Sequence, residues 1–327
     1  MATSIPIKTR YPVTTTGVRP VDPTRDIGAI VNLIEIGFGE ELDPLGLKML
    51  AQMKQAAHLS AWSPFLPVSG LEPAGYVYVE DECVVGNLSL RYALPHSSRG
   101  RLIGNVVVQP AHRGKGIGRT LVKTAIEAAR SQGARWIGLE VRADNAIACD
   151  LYKSLGFSAV GQTRHLLRSK GIPWPECTPP RQLWRPSYPR DRAFWNELAC
   201  AIYGRQQRRV LEVRPNLYAF GGLGRWLTLW LSHQRERAWF HRHETPRLAL
   251  RVETERHYHF HVWDVLLHPD EGETGAQEIV AMALKAARYL PTWPVIALVA
   301  DQPFLLQALH GIGFRTHRTL LQMILEL

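Results

Sequence analysis

The chain has 327 residues, 46% of them hydrophobic and 21% charged, with a formal net charge of +10. That composition excludes a disordered or fibrous chain and suits two globular domains. No apolar run is long enough to cross a bilayer, and the opening MATSIPIKTRYPVTTTG lacks the hydrophobic stretch of a secretory leader, so the reading is a cytoplasmic protein with no membrane partner. In chain order, a strand near Val18–Pro20 precedes a helix from Asp26 to Phe38, and a second helix runs from Pro44 to Ala57 on Leu45, Leu47, Leu50 and Met53. Strands Tyr76–Glu80 and Val84–Arg91 are joined by Asp81-Glu82 as a hairpin. A strand Leu102–Val108 leads to a helix from Thr120 onward, with Leu121, Val122, Ala125, Ile126, Ala128 and Ala129 at helical spacing. Strand Trp136–Val141 and a further helix follow. Arg164–Arg168 and Gln182–Arg185 read as closing strands around GIPWPECTPP, and RPSYPRDR (Arg185–Arg192) has linker composition.

Between Val108 and Thr120 lies Arg113-Gly114-Lys115-Gly116-Ile117-Gly118. Pro110 ends the preceding strand, because it has no N–H for a ladder. The loop therefore feeds a helix N-terminus, where free N–H groups and the positive end of the helix dipole attract anions. Glycines let the backbone approach a ligand, and the composition points to a phosphate cradle. The run lacks the Walker A order, and Arg119 stands where a Rossmann fingerprint needs its third glycine. Downstream, LEVRADNAIACDLYKSLGF holds Asn145, Ala148, Leu151, Tyr152, Gly156 and Phe157.

Together, Arg113-x-x-Gly116-x-Gly118 and the N-x-x-A-x-x-L-Y-x-x-x-G-F run resemble the GCN5-related N-acetyltransferase (GNAT) family. The resemblance implies an acetyl-CoA-dependent transfer to the primary amine of a small molecule or a peptide. It places the CoA pyrophosphate on the amides of Arg113, Gly114, Lys115, Gly116, Ile117 and Gly118, and pantetheine along Val106, Val107 and Val108. Asn145 is assigned to the cofactor, and Tyr152 is the matching general acid. Glu140 is placed like the base of ribosomal-protein N-terminal acetyltransferases. Glu40, Glu41 and Asp43, between the first two helices, are the alternative base and the candidate acceptor-binding carboxylates. The rival reading is a non-catalytic acetyl-CoA sensor or assembly module.

A weaker echo follows. VVVQP, LVKTAIEAAR and LGF of the first half recur as VLLHP, IVAMALKAAR and IGF, with Arg130 and Arg288 offset by 158 (288 − 130) and Phe157 and Phe314 by 157 (314 − 157). The fold expectation is α+β: two tandem GNAT-like domains, each a mixed, mostly antiparallel twisted sheet flanked by helices, with residues 1–185 catalytic and 186–327 degenerate. At these offsets Tyr152 falls on Leu309, Glu140 on Leu298 and Asn145 on Gln302 or Pro303. His257, His259 and His261, with His241 and His243 nearby, alternate on expected strands without a metal-ligand set, so no metal is assigned. Cys83, Cys149, Cys177 and Cys200 show no scaffold spacing and read as reduced thiols. The positive charge suits CoA phosphates; no basic–aromatic stretch indicates nucleic acid. A monomer or homodimer fits equally.

Overall fold

The computed structural model describes residues 16–39, 42–62, 75–94, 99–176, 179–181, 183–213, 229, 234–241 and 247–327. The elements are β1 (Thr16–Pro20), α1 (Pro23–Phe38), α2 (Pro44–Trp62), β2 (Gly75–Glu80), β3 (Cys83–Tyr92), β4 (Gly100–Val108), α3 (Ile117–Ser131), β5 (Trp136–Arg142), α4 (Ala146–Ser154) and β6 (Ser158–Arg168). The same order then repeats: β7 (Trp184–Pro186), α5 (Arg192–Ile202), α6 (Arg205–Val210), β8 (Gln234–His241), β9 (Leu248–Glu255), β10 (Phe260–Leu267), α7 (Gly272–Ala287), β11 (Val295–Ala300), α8 (Pro303–Gly311) and β12 (Arg315–Glu326). The fold is α+β and tandem, as the sequence suggests.

Two compact units form. The first draws on Met1–Glu40, Leu50–Arg91 and Ile103–Ala128; the second on Glu41–Met49, Tyr92–Leu102 and Ala129–Leu327. In the first, β1 and β2 pair antiparallel, as do β2 and β3. Asp81 and Glu82 both have positive φ, 49° and 63°, as a two-residue hairpin turn matching strand twist requires.

In the second unit the strand order is β5-β12-β6-β11-β10-β9-β8-β7. The strand that follows the Gly-Phe turn in each repeat crosses to the other repeat. Thus β12 pairs β5, β6 pairs β11, and β6 and β12 pair with each other, all antiparallel. The registers repeat too. Leu320 faces Arg142, and the equivalents Thr163 (320 − 157) and Ala300 (142 + 158) face each other. Thr163 also faces Leu320, so a local two-fold passes through that pair. The compact units accordingly do not divide at 185/186.

The core under α7 and α8 is built from the inward faces of β9, β10 and β11. Leu248, Leu250, Val252, Trp263, Val265, Ile279, Leu305, Leu309 and Phe314 are buried there. Each fully buried aliphatic side chain contributes about 1.5–3 kcal/mol.

RPSYPRDR is not a linker. Arg185 grips Asp191 through two bonds of 2.7 and 2.8 Å, and Tyr188 N–H donates to the same carboxylate at 2.8 Å. Arg19 grips Asp26 identically, at 2.6 and 2.8 Å, with Asp22 N–H donating at 2.8 Å. Asp26 and Asp191 are almost fully buried. This bidentate clamp joins the first strand to the first helix in both repeats, so Arg185–Arg192 opens the second copy. The expected closing strand at Gln182–Arg185 is β7, which pairs β8 and closes nothing in the first repeat.

The histidines also differ from expectation. His257 and His259 lie in the turn between β9 and β10. His241 is on β8, separated from β10 by β9, and His243 lies outside the described residues. His261 is buried, accepts from the Thr254 hydroxyl at 3.0 Å, donates to the Pro291 carbonyl at 3.1 Å and stacks on Trp293. Cys149 is buried, with Sγ 3.5 Å from the Arg142 carbonyl oxygen, while Cys83 and Cys200 are exposed.

A protein ending at Arg185 would deprive β6 of both its neighbours, leaving its ladder groups unpaired. It is expected to aggregate, or to dimerise by mutual strand exchange, when followed by light scattering and thermal circular dichroism. A monomer melting as cooperatively as the full chain would overturn this.

Candidate active site

The glycine loop lies in the first unit. Strand β4 ends at Val108, a 3₁₀ turn covers Pro110–His112, and α3 begins at Ile117. Gly114 and Gly116 both have φ of 80°, a conformation that costs an L side chain strain and glycine nothing. A Cβ at either would meet nothing within 4 Å, so the loop backbone faces open space. Ile117 and Gly118 are first-turn residues whose N–H groups lie outside the i→i−4 ladder. The cations are less free than the sequence suggests. Arg113 folds back, its Nε donating to the Val108 carbonyl at 3.1 Å, and Lys115 Nζ stands 3.7 Å from Glu80.

Upstream, Val107 is buried while Val106 and Val108 are half-buried. Asn105 has a φ of 49°, and its carbonyl accepts from the Asn87 side chain at 2.9 Å. This left-handed residue breaks the alternation of β4 just before Val106–Val108, and nothing in the sequence reading anticipated it.

Glu140, Asn145 and Tyr152 lie in the second unit. Asn145 is the N-cap of α4, its side-chain oxygen accepting from Ala148 N–H at 3.0 Å. Its primary role is thus to cap the helix that carries Tyr152. Tyr152 is buried and packs edge-on against Phe157, with ring centroids 5.8 Å apart. Burial pushes its phenol up to about 12, so it is protonated at neutral pH. Glu140 is exposed, and Gln322 Nε2 on β12 donates to its Oε1 at 2.7 Å. Gln322 escaped the sequence reading because the partner strand lies 182 residues away.

The acidic stretch is the main correction. Glu40 and Glu41 lie outside the described residues. Asp43 offers no free carboxylate: it is buried, accepts from Arg318 at 2.8 Å and from Gly46 N–H at 2.8 Å, and lies 3.5 Å from His165 Nδ1. Burial alone would push its pKa up; the His165 hydrogen bond, the Arg318 charge and the Gly46 N–H outweigh it and bring it down to about 2. Asp43 is structural.

The second repeat has no such loop. At the 158 offset Gly114 falls on Gly272 and Gly116 on Thr274, yet α7 already begins at Gly272. Gly272 keeps a positive φ of 56°, but from Glu273 onward the residues that would cradle an anion are wound into helix, and Asp270, Glu271 and Glu273 crowd its start. Helices α4 and α8 align at 157, so the N-cap Asn145 corresponds to the N-cap Gln302. Gln302 Nε2 donates to the Leu267 carbonyl at 2.8 Å, across the point where β10 and β11 part.

Residues 48–157 match the acetyltransferase (GNAT) family. They are a GNAT domain. A ribosomal protein bS18-alanine N-acetyltransferase of Haemophilus ducreyi is 29% identical over 113 residues, 34% of this chain and 75% of that protein. Several other curated relatives are matched over less than half of their own length. A GCN5-related N-acetyltransferase structure from Sphaerobacter thermophilus superposes with a TM-score of 0.62 at 15% identity, covering 96% of both chains. A tandem GNAT protein from the clavulanic acid biosynthesis pathway gives 0.55 at 16% identity, covering 95% of this chain and 98% of that one. These two likenesses show that the tandem GNAT fold spans the chain.

Asp43→Ala is expected to cost about 3 kcal/mol at pH 7, because it strands Arg318. The carboxylate is depressed in the folded state, so its contribution is complete above the ordinary value of 3.8 and disappears as pH falls through about 2. Urea melts of parent and variant should therefore converge near pH 2; a constant gap down to that pH would contradict the ion-pair role.

Proposed function

We propose that the GNAT domain transfers an acetyl group from acetyl-CoA to a primary amine of a small molecule or a peptide N-terminus. The observation that carries this reading is the loop backbone ahead of α3, left-handed at Gly114 and Gly116 and open to an incoming anion. The residues fit the cosubstrate's pyrophosphate, which the amides of Arg113–Gly118 would hold, with pantetheine along Val106–Val108. The relative named for alanine N-acetylation supports a primary-amine acceptor.

Acetyl transfer needs an uncharged amine, a polarised carbonyl and a proton for the departing thiolate. Glu140, exposed at the surface of β5, takes the amine's proton, directly or through water. Tyr152, protonated across the neutral range, gives its proton to the thiolate. Asn145 keeps Tyr152 in place by capping α4. The second repeat binds no CoA: its counterpart loop is helical and acidic, Leu309 replaces Tyr152, and Gln302 occupies the strand carbonyl at Leu267. Selection has kept its packing and dropped its chemistry.

Tyr152→Phe is expected to lower kcat by about 10²–10⁴-fold with acetyl-CoA affinity nearly unchanged. Gly116→Val, forced into a left-handed conformation, should weaken that affinity sharply, whereas Lys115→Ala should cost only about 0.3–1 kcal/mol. Calorimetry and thiol-release assays across an amine panel measure both effects. A sensor would bind acetyl-CoA and release no thiol with any amine. Calorimetric stoichiometry is expected at one CoA per chain; a value of two would refute the degenerate second site.

A further inference from the structure

We infer that the second repeat supplies a positioning residue for the first repeat's chemistry: Gln322, on the last strand of the chain, orients Glu140. This rests on the proposed role of Glu140 as base. Gln322 is fully buried. Its Nε2 has two N–H donors and stands 2.7 Å from Glu140 Oε1 and 2.9 Å from Thr163 Oγ1, with the Leu320 carbonyl sharing a donor at 3.3 Å. Its Oε1 accepts from Gln207 Nε2 at 3.0 Å, and Gln207 also donates to the Gln162 carbonyl at 3.3 Å. The amide cannot be flipped without setting its oxygen against the Glu140 carboxylate and its nitrogen against the Gln207 amide. Both glutamines belong to the second copy, on β12 and α6, while Glu140 belongs to the first.

The groove that admits Gln207 is made by glycine. A Cβ at Gly161 would stand 2.2 Å from the Gln207 amide carbon, and one at Gly138 2.9 Å from Val210. Gly161 faces Gln322 on β12, which faces Glu140 on β5. Gly161, Gln322 and Glu140 thus form one row, with Gln207 lying over its bare end. In the equivalent row of the other copy, Arg318, His165 and Leu298 stand in register. There the carboxylate is absent, and Asp43 holds His165 and Arg318 instead. Of the two rows, the one that contains Glu140 carries an amide donor aimed at it, Gln322 in the middle position.

The test is a double-mutant cycle. Gln322→Met keeps the volume and removes the donor; it is expected to lower kcat by up to about 100-fold, with acetyl-CoA affinity unchanged. Gly161→Ala, which displaces Gln207 without removing a hydrogen-bonding group, should give a smaller loss in the same direction. In the Glu140→Gln background neither change should lower kcat further, because both act through Glu140. An undiminished effect in that background, or an unchanged kcat in Gln322→Met with Glu140 intact, overturns the inference. If Glu140→Gln alone keeps full activity, the base assignment fails instead, and the two failures are told apart. Should Gln322→Met lose acetyl-CoA binding or its cooperative melt, Gly161→Ala decides between them.

Discussion

The second unit depends on a reciprocal exchange of strands. Strand β6 leaves its own repeat to lie beside β11, and β12 leaves its repeat to lie beside β5. The two exchanged strands then pair with each other around the Thr163–Leu320 position. Backbone N–H and C=O groups in a buried sheet must find partners, and here each copy obtains them from the other. An edge that would otherwise invite association with another molecule is closed within the chain. Duplication followed by exchange makes the two copies one folding problem.

Within that shared frame the copies have been free to differ where chemistry, not packing, is at stake. The Arg19–Asp26 and Arg185–Asp191 clamps are superimposable in their hydrogen bonds. Gly156 and Gly313, at φ of 92° and 94°, make the same turn before Phe157 and Phe314. Those positions hold backbone in place, and both copies need them. The glycine loop, the buried phenol and the strand carboxylate recur in neither form nor charge. Helix α7 starts where the loop would be, Leu309 fills the place of Tyr152 without exposure, and Leu298 takes that of Glu140. A buried leucine preserves core volume at a position where a hydroxyl has no thiolate to meet.

The exchanged strands also bring polar groups to equivalent places with different partners. Gln322 and His165 stand at the same position of β12 and β6 (322 − 165 = 157). Gln322 is tied to Gln207 from α6; His165 is tied to Asp43 from the start of α2. In both cases a helical segment sets a side chain onto the exchanged strand of its own copy. Buried polar groups demand satisfaction, so each such contact specifies register as well as adding stability. Register matters, because a slip of one residue along β12 would turn Gln322 away from Glu140 and bury Leu321 or Met323 in its place.

Local pattern alone carried much of this protein. Helical periodicity, β-branched runs, the Asp81-Glu82 turn and the two motifs placed the first repeat's elements to within a few residues. The motifs carry chemistry through short-range spacing, and the echo of LGF in IGF exposed the duplication. What local pattern could not decide was which strand sits beside which. Hydrophobic alternation marks a strand's faces and leaves its neighbours unspecified, so Arg164–Arg168 read as a closing strand of the first copy. RPSYPRDR passed for a linker because its clamp is made by a contact between Arg185 and Asp191 that composition does not encode. Asp43 read as an acceptor-binding carboxylate because its partners, His165 and Arg318, lie far along the chain. Gln322 gained its place against Glu140 only through the exchange. Long-range pairing is settled by the joint burial of many side chains and the pairing of every ladder group, and only the tertiary structure decides it.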